Sequence, residues 1–373
     1  MLAVLFLGII SLLLTLIKDK EKGLTWAFAI VTIFLGVRYN WGNDYVNYLL
    51  SFYEYNNYTF SVFDIYESGN LARHNEYGWV ILCRLFGTMG LGFFGLIMAM
   101  TVFESIVLYR LIKTHIDPKY YWVAVFLWIF STSFCINSSM IRQYFCVCLY
   151  MIVIDLMVQK KGKVYWLWSI IIILVGSTIH RSFVITIISL PLYYIHIKQK
   201  RLSIVWTAAI LVVFLLWNRF GRSFVEPLMY NVLEDSEDLS GYMDYLMLEK
   251  KDTIGSGLGT IFRYIMFVIW LLLLPKVERE KQSFVILIIM SYFFDVIGDI
   301  VPMASRLTLY FTTVSLLCWT YLVDMVKQWP WLYGVFAVEI ALIAKSFVDF
   351  FYSPIWIDCF LHYHTIFEAS SWL

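Results

Sequence analysis

Among long apolar runs, the chain carries six polar residues whose side chains could bind an anion or move a proton. They are three arginines, a histidine and two carboxylates: Arg38, Arg142, Arg306, His180, Asp44 and Glu76. Arginine suits phosphate because its planar guanidinium donates two parallel hydrogen bonds and keeps its charge. Histidine suits proton transfer because its pKa of about 6.5 leaves the imidazole neutral at physiological pH. These residue types predict a site for a phosphate or diphosphate beside a general base.

Several assignments within this set stay open. His180, Asp44 and Glu76 compete for the role of general base, and His180 is narrowly favoured because a neutral imidazole accepts a proton readily. Arg38 and Asp44 could instead form a structural salt bridge, and a histidine at a helix turn is often only a hydrogen-bonding group. For a single arginine, the alternative is a side chain that snorkels to the membrane interface.

The composition is that of a membrane protein. Hydrophobic residues make up 61% of the sequence and charged residues only 15%, whereas soluble domains carry about 25% charged residues. The mean hydropathy is +0.74 and the net charge is +1, so no bulk field attracts nucleic acid. The six cysteines form no CxxC pair and no metal-ligand spacing. We therefore expect buried, unreactive thiols and neither a metal nor another cofactor.

The apolar runs predict an all-α polytopic membrane protein. At about 20 residues for each membrane crossing, roughly twelve helices fit the sequence. Their predicted positions, in chain order, are 2–17, 24–37, 91–109, 120–136, 141–158, 164–179, 183–197, 203–218, 261–274, 283–298, 306–325 and 331–348. The first run has no basic segment before it, so it is interpreted as a retained span rather than a cleaved signal.

The positions of the basic residues predict the orientation. Short cytoplasmic loops collect Lys and Arg. Alternate connections of this chain carry such residues: Lys18, Lys20, Lys22, Arg110, Lys113, Lys119, Lys160, Lys161, Lys163, Lys198, Lys200, Arg201, Lys276, Arg279, Lys281 and Lys327. These connections are predicted to be cytoplasmic, which puts both termini on the outer side. The three candidate arginines then lie near the outer ends of spans, where positive residues are disfavoured.

We expect residues 1–373 to form a single transmembrane domain with two long outer segments, 38–90 and 219–260. The first is predicted to contain an interfacial helix near 76–88, where apolar and polar faces alternate. The second is acidic in its middle and is predicted to be a mobile loop over the outer face. Both segments would form part of the site or cover it.

Five short motifs follow one another in the order Gly36-Val37-Arg38-Tyr39 with Gly42-Asn43-Asp44-Tyr45 and Tyr48; Glu76-Tyr77-Gly78-Trp79; Ile141-Arg142-Gln143-Tyr144; His180-Arg181-Ser182; and Arg306 with Tyr310-Phe311. In order and spacing they resemble the EpsG-like, Wzy-type polysaccharide polymerases of bacterial inner membranes, over most of the chain. Arg181 departs from that pattern, because a small residue or proline is expected after the histidine.

The resemblance implies a membrane glycosyltransferase, for which a glycosyltransferase-C-like architecture is one expectation. Donor and acceptor would be polyprenyl-diphosphate-linked oligosaccharides of a surface polysaccharide such as an O-antigen or exopolysaccharide. An acceptor hydroxyl would attack the anomeric carbon, and the lipid diphosphate would leave. Arg142 and Arg306, assisted by Arg38, would hold the diphosphate, and the implied substrate-binding set also includes Gln143, Tyr45 and Tyr310. The reaction would take place at the outer face of the bacterial cytoplasmic membrane, with a chain-length regulator as an expected partner.

Other classes of protein compete with this interpretation. A membrane acyltransferase that modifies surface sugars could also use a histidine and an arginine near one membrane face. A transporter could use Asp295 and Asp299, which lie one helical turn apart and could bind a cation or a proton. A helix-end turn beside Gly298 and Pro302 is the simpler explanation of those two carboxylates. A purely structural membrane scaffold is a further alternative, although it gives the outer arginines no reason to converge.

Overall fold

The computed structural model of the protein describes residues 1–57, 76–159, 162–195, 204–234, 257–300 and 305–368. Within these ranges the chain is mostly helical, and every apolar run that was predicted to be helical contains a helix. The predicted helical class is confirmed. Its one exception among the described residues is an antiparallel pairing of two short strands, β1 (Arg38–Tyr39) and β2 (His364–Thr365).

The helices are named here in chain order. Those before residue 180 are α1 (Leu2–Leu16), α2 (Lys20–Gly36), α3 (Tyr45–Asn57), α4 (Tyr77–Thr88), α5 (Gly92–His115), α6 (Tyr121–Phe130), α7 (Thr132–Ser139), α8 (Ile141–Gln159) and α9 (Lys163–Ser177). A 3-10 turn, Pro118–Tyr120, precedes α6, and a 3-10 helix, Arg181–Tyr194, follows α9. The later helices are α10 (Ile204–Glu234), α11 (Leu258–Leu273), α12 (Gln282–Ile300), α13 (Ser305–Thr312), α14 (Ser315–Met325), α15 (Leu332–Tyr352) and α16 (Ile357–Phe360).

Few of the described helices are long enough to cross a membrane unaided. The α5 and α8 helices are both long and apolar enough, and the apolar region around α6 and α7 adds a third span if it is counted as one. Several other helices are apolar but shorter. The chain is a membrane protein by these helices, while the number of about twelve spans stays a prediction.

Two of the predicted spans are broken. The run predicted at 120–136 bends by 60° between α6 and α7, where Ser131 Oγ donates to the Trp128 carbonyl at 3.1 Å. The run predicted at 306–325 divides into α13 and α14, and there Thr313 Oγ1 donates to the Leu309 carbonyl at 2.7 Å. Such side-chain hydrogen bonds to the preceding turn bend helices. The spans were predicted from the average apolarity of each run, and this average does not depend on single hydrogen bonds.

Other boundaries also differ from the prediction. The α3 helix lies in a polar stretch that was not predicted to be helical, whereas α4 confirms the helix expected near 76–88. The α10 helix continues to Glu234, beyond the predicted start of the second outer segment at 219, because polar residues end an apolar span without ending a helix. The rest of the predicted mobile loop falls on residues 235–256, outside the described residues.

The described chain groups into two compact units. Unit 1 contains Met1–Asp155, Ile171–Val184 and Trp319–Leu373, and unit 2 contains Leu156–Ile170 and Ile185–Cys318. The predicted single domain of residues 1–373 stays a prediction. In unit 2, the ring of Phe214 stacks on Phe267 at 3.9 Å between centroids, and Trp217 Nε1 donates to the Phe293 carbonyl at 2.9 Å. These contacts join α10, α11 and α12.

The contacts within unit 1 described here fall into two groups, and each group marks one end of the unit. At one end, the amino-terminal nitrogen of Met1 donates to the Leu361 carbonyl at 2.7 Å, and Gly42 N donates to the Cys359 carbonyl at 3.1 Å. There β1 also pairs with β2, Arg38 opposite Thr365. These contacts gather the amino terminus, segment 38–42 and the carboxy-terminal segment, and the predicted placement of all three on the outer side stays a prediction.

The second group of contacts in unit 1 joins the basic connections to one another. Lys113 Nζ lies 2.7 Å from Glu21 Oε2, and Tyr120 donates its hydroxyl to Asp324 Oδ1 at 2.5 Å. Residues predicted to be on the same side are thus in contact with each other. Which end faces the cell exterior stays a prediction from the positions of Lys and Arg.

Candidate functional site

Glu76 lies at the amino-terminal cap of α4, where the helix approaches the turn after α9. Gly78 N donates to the Thr178 carbonyl at 2.9 Å. A Cβ atom at position 78 would lie 3.0 Å from the Thr178 carbonyl carbon, so only glycine fits this approach without displacement. The Gly78 contact brings the carboxylate of Glu76 to residues 180 and 181.

The Glu76 carboxylate joins three parts of unit 1. Its Oε2 atom accepts a hydrogen bond from Arg142 Nη1, at the start of α8. Its Oε1 atom lies 3.0 Å from His180 Nδ1 and accepts a second hydrogen bond from Arg181 N at 3.0 Å. Both carboxylate oxygens are therefore occupied, and the side chain is only 10% exposed.

The surroundings of Glu76 favour its charged form. Burial alone would raise the pKa of the Glu76 carboxyl, but the hydrogen bond from His180 and the charge of Arg142 together hold that pKa below its usual value. An ionised carboxylate has no proton to donate, so His180 Nδ1 is the donor in their hydrogen bond. A neutral imidazole in this tautomer leaves Nε2 as a proton acceptor.

The His180 ring is held at a tight turn. His180 N donates to the Gly176 carbonyl at 3.0 Å, and a Cβ atom at position 176 would collide with the ring of Phe183. The His180 side chain is 17% exposed. Its Nε2 atom has no hydrogen-bond partner among the described residues. The ring therefore presents one anchored nitrogen and one nitrogen that can accept a proton.

Arg142 is the second residue of α8, as the sequence predicted for a residue just inside this span. Its guanidinium carbon lies 5.3 Å from the centroid of the Tyr48 ring, while Nη1 binds Glu76. The Nε atom is buried and has no hydrogen-bond partner in the described ranges. Nη1 of Arg142 is thus paired with Glu76, whereas Nε is a hydrogen-bond donor that no described group uses.

Arg38 lies in a different environment, although it belongs to unit 1 as well. Its guanidinium is buried and donates to the carbonyls of Leu35 and Ser138, the latter at 3.0 Å, and to Thr101 Oγ1 at 3.2 Å. The predicted salt bridge with Asp44 is not among these contacts. Arg38 therefore joins α2, α5 and α7 through neutral acceptors.

Asp44 lies beside Ser139, three residues before Arg142. Asp44 N donates to Ser139 Oγ at 3.2 Å, and Ser139 Oγ donates to Asn43 Oδ1 at 2.6 Å. Asp44 Oδ1 also accepts a hydrogen bond from Asn43 Nδ2 at 3.3 Å. None of these three contacts joins Asp44 to the Glu76 carboxylate.

The stretch 38–48 runs along the junction between α7 and α8. Arg38 contacts Ser138, the pair Asn43 and Asp44 contacts Ser139, and Tyr48 contacts Arg142. This order of contacts explains how a polar stretch after α2 reaches residues a hundred positions later. The predicted motifs around residues 38–48, 76, 142 and 180 thus meet within unit 1.

Three of the remaining predicted binding residues are buried. Tyr45 is buried and donates its hydroxyl to the Arg38 carbonyl at 3.1 Å, and Gln143 is also buried. Tyr310 is buried in α13 of unit 2. Arg306 belongs to the same helix, and its side chain lies outside the described part of the structure.

The carboxylate pair considered for a transporter is partly described. In unit 2, Asp295 Oδ2 lies 3.6 Å from Arg263 Nη2, so a cation already compensates its charge. The side chain of Asp299 lies outside the described residues.

The described residues also include no cluster of three or more His, Cys, Asp or Glu that could hold a metal ion. The predicted independence from metals stays a prediction.

Sequence reasoning missed the role of Tyr48 and of the serines before α8. In the sequence, Tyr48 is only one of many aromatic residues in its segment, and Ser138 and Ser139 indicate no more than the start of a helix. Their partners are distant in sequence, so spacing along the chain carries no signal of these contacts. The motif order, by contrast, included Glu76, Arg142 and His180, which the structure brings into contact and whose roles stay predictions.

A protein-family model matches most of the chain. The family model described as EpsG family matches residues 23–365, which is most of the chain. Neither the curated proteins nor the solved structures include a significant match. The matched range begins within α2, ends with β2 and includes the whole Glu76 cluster, which consists of Glu76, Arg142 and His180. The chain is therefore a member of the EpsG family, a family of Wzy-like polysaccharide polymerases.

Proposed function

We propose that this protein joins polyprenyl-diphosphate-linked oligosaccharide units into a surface polysaccharide at the outer face of a bacterial cytoplasmic membrane. Membership of a polysaccharide polymerase family and the apolar helices support the general activity. The observation that carries the proposed mechanism is the buried Glu76 carboxylate, which binds His180 through one oxygen and Arg142 through the other. A base and a cation are thereby held together by one anchored group.

The proposed reaction transfers a glycan between two lipid-linked units. The hydroxyl oxygen of the acceptor sugar attacks the anomeric carbon of the donor and forms the new glycosidic bond. The bond between that carbon and the diphosphate oxygen breaks, and its electron pair leaves with the lipid diphosphate. The acceptor hydroxyl proton moves to His180 Nε2, because Nδ1 is held by Glu76.

Glu76 serves in this proposal as a positioning residue rather than as the base. Both of its oxygens accept hydrogen bonds from the protein, so a substrate hydroxyl would have to displace one of these donors. The same carboxylate stabilises the imidazolium that forms when His180 takes the proton. Asp44 remains the alternative base, since its side chain is partly exposed near the start of α8.

The charge of the cluster fits the departure of a diphosphate. With a neutral imidazole, Glu76 and Arg142 cancel one another, whereas proton transfer to His180 makes the cluster net positive. The cluster therefore gains positive charge in the same step in which the leaving diphosphate gains negative charge, and this stabilises the leaving group. The first-turn N–H groups of α8 add to this field. Arg306 remains a proposed second diphosphate ligand, with Arg38, Gln143, Tyr45 and Tyr310 as further proposed members of the binding set.

The test is reconstitution of the purified protein in lipid vesicles with a defined lipid-linked repeat unit, scored for dimers and longer glycans. Loss of a general base costs about 100-fold or more in kcat, which is the loss expected for His180→Gln. For Arg142→Ala we expect a similar loss, since charge on the leaving group would go uncompensated. The products should be a longer lipid-linked glycan and free polyprenyl diphosphate, in equal amounts.

The matched control is a second histidine paired with a carboxylate. His115 Nε2 lies 2.8 Å from Asp155 Oδ1, among residues near the basic connections. His115→Gln should retain wild-type chain growth. Full chain growth by His180→Gln would contradict the assigned base and move it to Asp44. Cellular glycans that keep their chain length but lose an acyl group when the protein is absent would instead establish an acyltransferase.

A further inference from the structure

We infer that Tyr48 is a positioning residue that holds the Arg142 guanidinium in place for the leaving diphosphate. This inference rests on the proposed function, because it assigns to Tyr48 a role that acts through Arg142. The motif that contains Tyr48 ends at this residue, and none of the roles proposed above uses it.

The first observation is the position of the Arg142 guanidinium. It binds the Glu76 carboxylate through Nη1, and its central carbon lies 5.3 Å from the centroid of the Tyr48 ring. A cation within about 6 Å of an aromatic face is attracted by the ring quadrupole. The guanidinium therefore has one contact with a carboxylate and another with a tyrosine.

The second observation is that the Tyr48 ring is itself fixed. It packs edge-on against Trp79 at 5.6 Å between centroids, with an interplanar angle of 66°. Trp79 is fully buried in α4, one helical turn after Glu76. Thus one helix holds both the carboxylate that binds Arg142 and the indole that supports the Tyr48 ring.

The third observation is that α3, which carries Tyr48, is attached to its surroundings at both ends. Near its start, Tyr45 donates its hydroxyl to the Arg38 carbonyl at 3.1 Å. Near its end, Asn56 Nδ2 donates to the Cys83 carbonyl at 3.3 Å, and Arg84 Nε donates to the Tyr55 carbonyl at 3.1 Å. These contacts prevent α3 from moving away from α4, so the ring keeps its place against Arg142.

This arrangement has a chemical consequence for the proposed reaction. A guanidinium held by Glu76 alone can rotate about the single contact through Nη1, and its remaining donors then point in variable directions. The ring of Tyr48 removes this freedom, so the unused donors keep one orientation. Orientation of this kind favours the transition state, in which the diphosphate gains charge, more than the bound substrate.

The experiment measures kcat and KM of reconstituted protein for Tyr48→Leu, Tyr48→Phe and Tyr53→Leu. Tyr53 is the matched control because it lies on the same helix and half of its side chain is exposed. For Tyr48→Leu we expect kcat to fall about tenfold with KM within about twofold of wild type. Tyr48→Phe keeps the ring and should lose less, and Tyr53→Leu should match wild type.

A double-mutant cycle shows whether Tyr48 acts through Arg142. In an Arg142→Lys background, which lacks the planar guanidinium, Tyr48→Leu should cause no further loss of kcat. Melting temperatures of all variants separate this effect from a loss of folding. If Tyr48→Leu accumulates poorly, Tyr48→Met replaces it, since methionine keeps apolar length without an aromatic face.

Three outcomes would overturn the inference: wild-type kcat for Tyr48→Leu, equal losses for the Leu and Phe variants, or a tenfold loss that persists in the Arg142→Lys background. These outcomes differ from a failure of the proposed function. Wild-type kcat for Arg142→Lys together with Arg142→Ala would contradict the role of Arg142 itself. Loss of kcat in the Arg142 variants without loss in Tyr48→Leu would contradict only the role of Tyr48.

Discussion

At the scale of single residues, Glu76, His180 and Arg142 lie in different environments, which support the different functions proposed for them. Glu76 is buried and both of its carboxylate oxygens accept hydrogen bonds, which supports its proposed role as a positioning residue. Nδ1 of His180 is held by Glu76, and Nε2 is the proposed acceptor of the substrate proton. Arg142 keeps a buried Nε without a described partner. Arg38 also has a buried Nε without a described partner, but both of its terminal nitrogens donate to the protein, one to the Leu35 carbonyl and the other to the Ser138 carbonyl, and those contacts favour a structural role for it.

The lowered pKa of Glu76 predicts a pH-dependent contribution to stability. A carboxyl whose pKa is lower in the folded state stabilises the fold above its unfolded pKa of about 4.3. That stabilisation is lost as the pH falls from there through the lowered folded value. Glu76→Gln should therefore lower the melting temperature at pH 7, corresponding to about 2 kcal/mol for unpaired buried donors. The difference from wild type should shrink below pH 4.

The measurement is the thermal unfolding of detergent-solubilised wild type and Glu76→Gln between pH 7 and pH 3.5. Glu368→Gln is a useful comparison, because the Glu368 carboxyl also has a lowered pKa but is exposed, bonded to His364 and Thr365. It should change the melting temperature little. A difference between wild type and Glu76→Gln that stays constant over this pH range would contradict the assigned charge state of Glu76.

At the scale of elements, the turn between β1 and α3 brings the polar stretch 38–48 to the start of α8. Asn40 and Gly42 have positive φ values of 44° and 114°, and the carboxy-terminal segment accepts a hydrogen bond from Gly42 N. The Trp41 indole donates to the Phe360 carbonyl at 3.2 Å. The turn conformation is therefore maintained by β2 and α16, which lie more than 300 residues further along the chain.

Substitution of Gly42 tests the importance of this turn. Alanine at position 42 would adopt an unfavourable φ, and its Cβ would lie 2.8 Å from Ser139 Oγ. We expect Gly42→Ala to cost about 2–3 kcal/mol and to reduce the melting temperature clearly. Gly90 has a φ of +70°, but a Cβ atom added there would meet no atom within 4 Å, so Gly90→Ala should cost only about 1 kcal/mol. Equal losses would show that Ser139 accommodates the added carbon.

At the scale of the whole molecule, the two ends of unit 1 agree with the predicted alternation of sides. The end with Met1, β1 and β2 also carries the segments that enter the Glu76 cluster. The contacts around Glu21, Lys113 and Asp324 involve the basic connections. Positive charge collects on cytoplasmic loops, so the Glu76 cluster is predicted to face the cell exterior, where lipid-linked units would be joined.

Labelling of single cysteines in intact cells tests this orientation. Asn43→Cys and Glu368→Cys place exposed thiols at the end with β1 and β2, and Lys22→Cys and Lys119→Cys place them at the basic connections. In a Cys359→Ser background, a membrane-impermeant maleimide should label only the first pair. The second pair should react only after the cells are opened. The reverse pattern would contradict both the orientation and the proposed outer site.

The sequence alone determined the class of the protein and the types of residue at its site. Long apolar runs predict helices because backbone polar groups within a membrane must be hydrogen-bonded internally. Each predicted run does contain a helix. The rare polar residues near the ends of those runs made Glu76, Arg142 and His180 candidate site residues, and their roles stay predictions. The helix breaks after Phe130 and Thr312 were not predicted, since single side-chain hydrogen bonds hardly affect average apolarity.

Only the tertiary structure decided which of these residues act together. Nothing in the spacing of Glu76, Arg142 and His180 shows that one carboxylate binds the other two, because the contacts depend on how α4, α8 and the turn after α9 pack. The same holds for Arg38, which the sequence made a candidate anion ligand and whose donors the fold directs to backbone carbonyls. The sequence specifies residue chemistry, whereas distances between residues far apart in the chain arise only from packing.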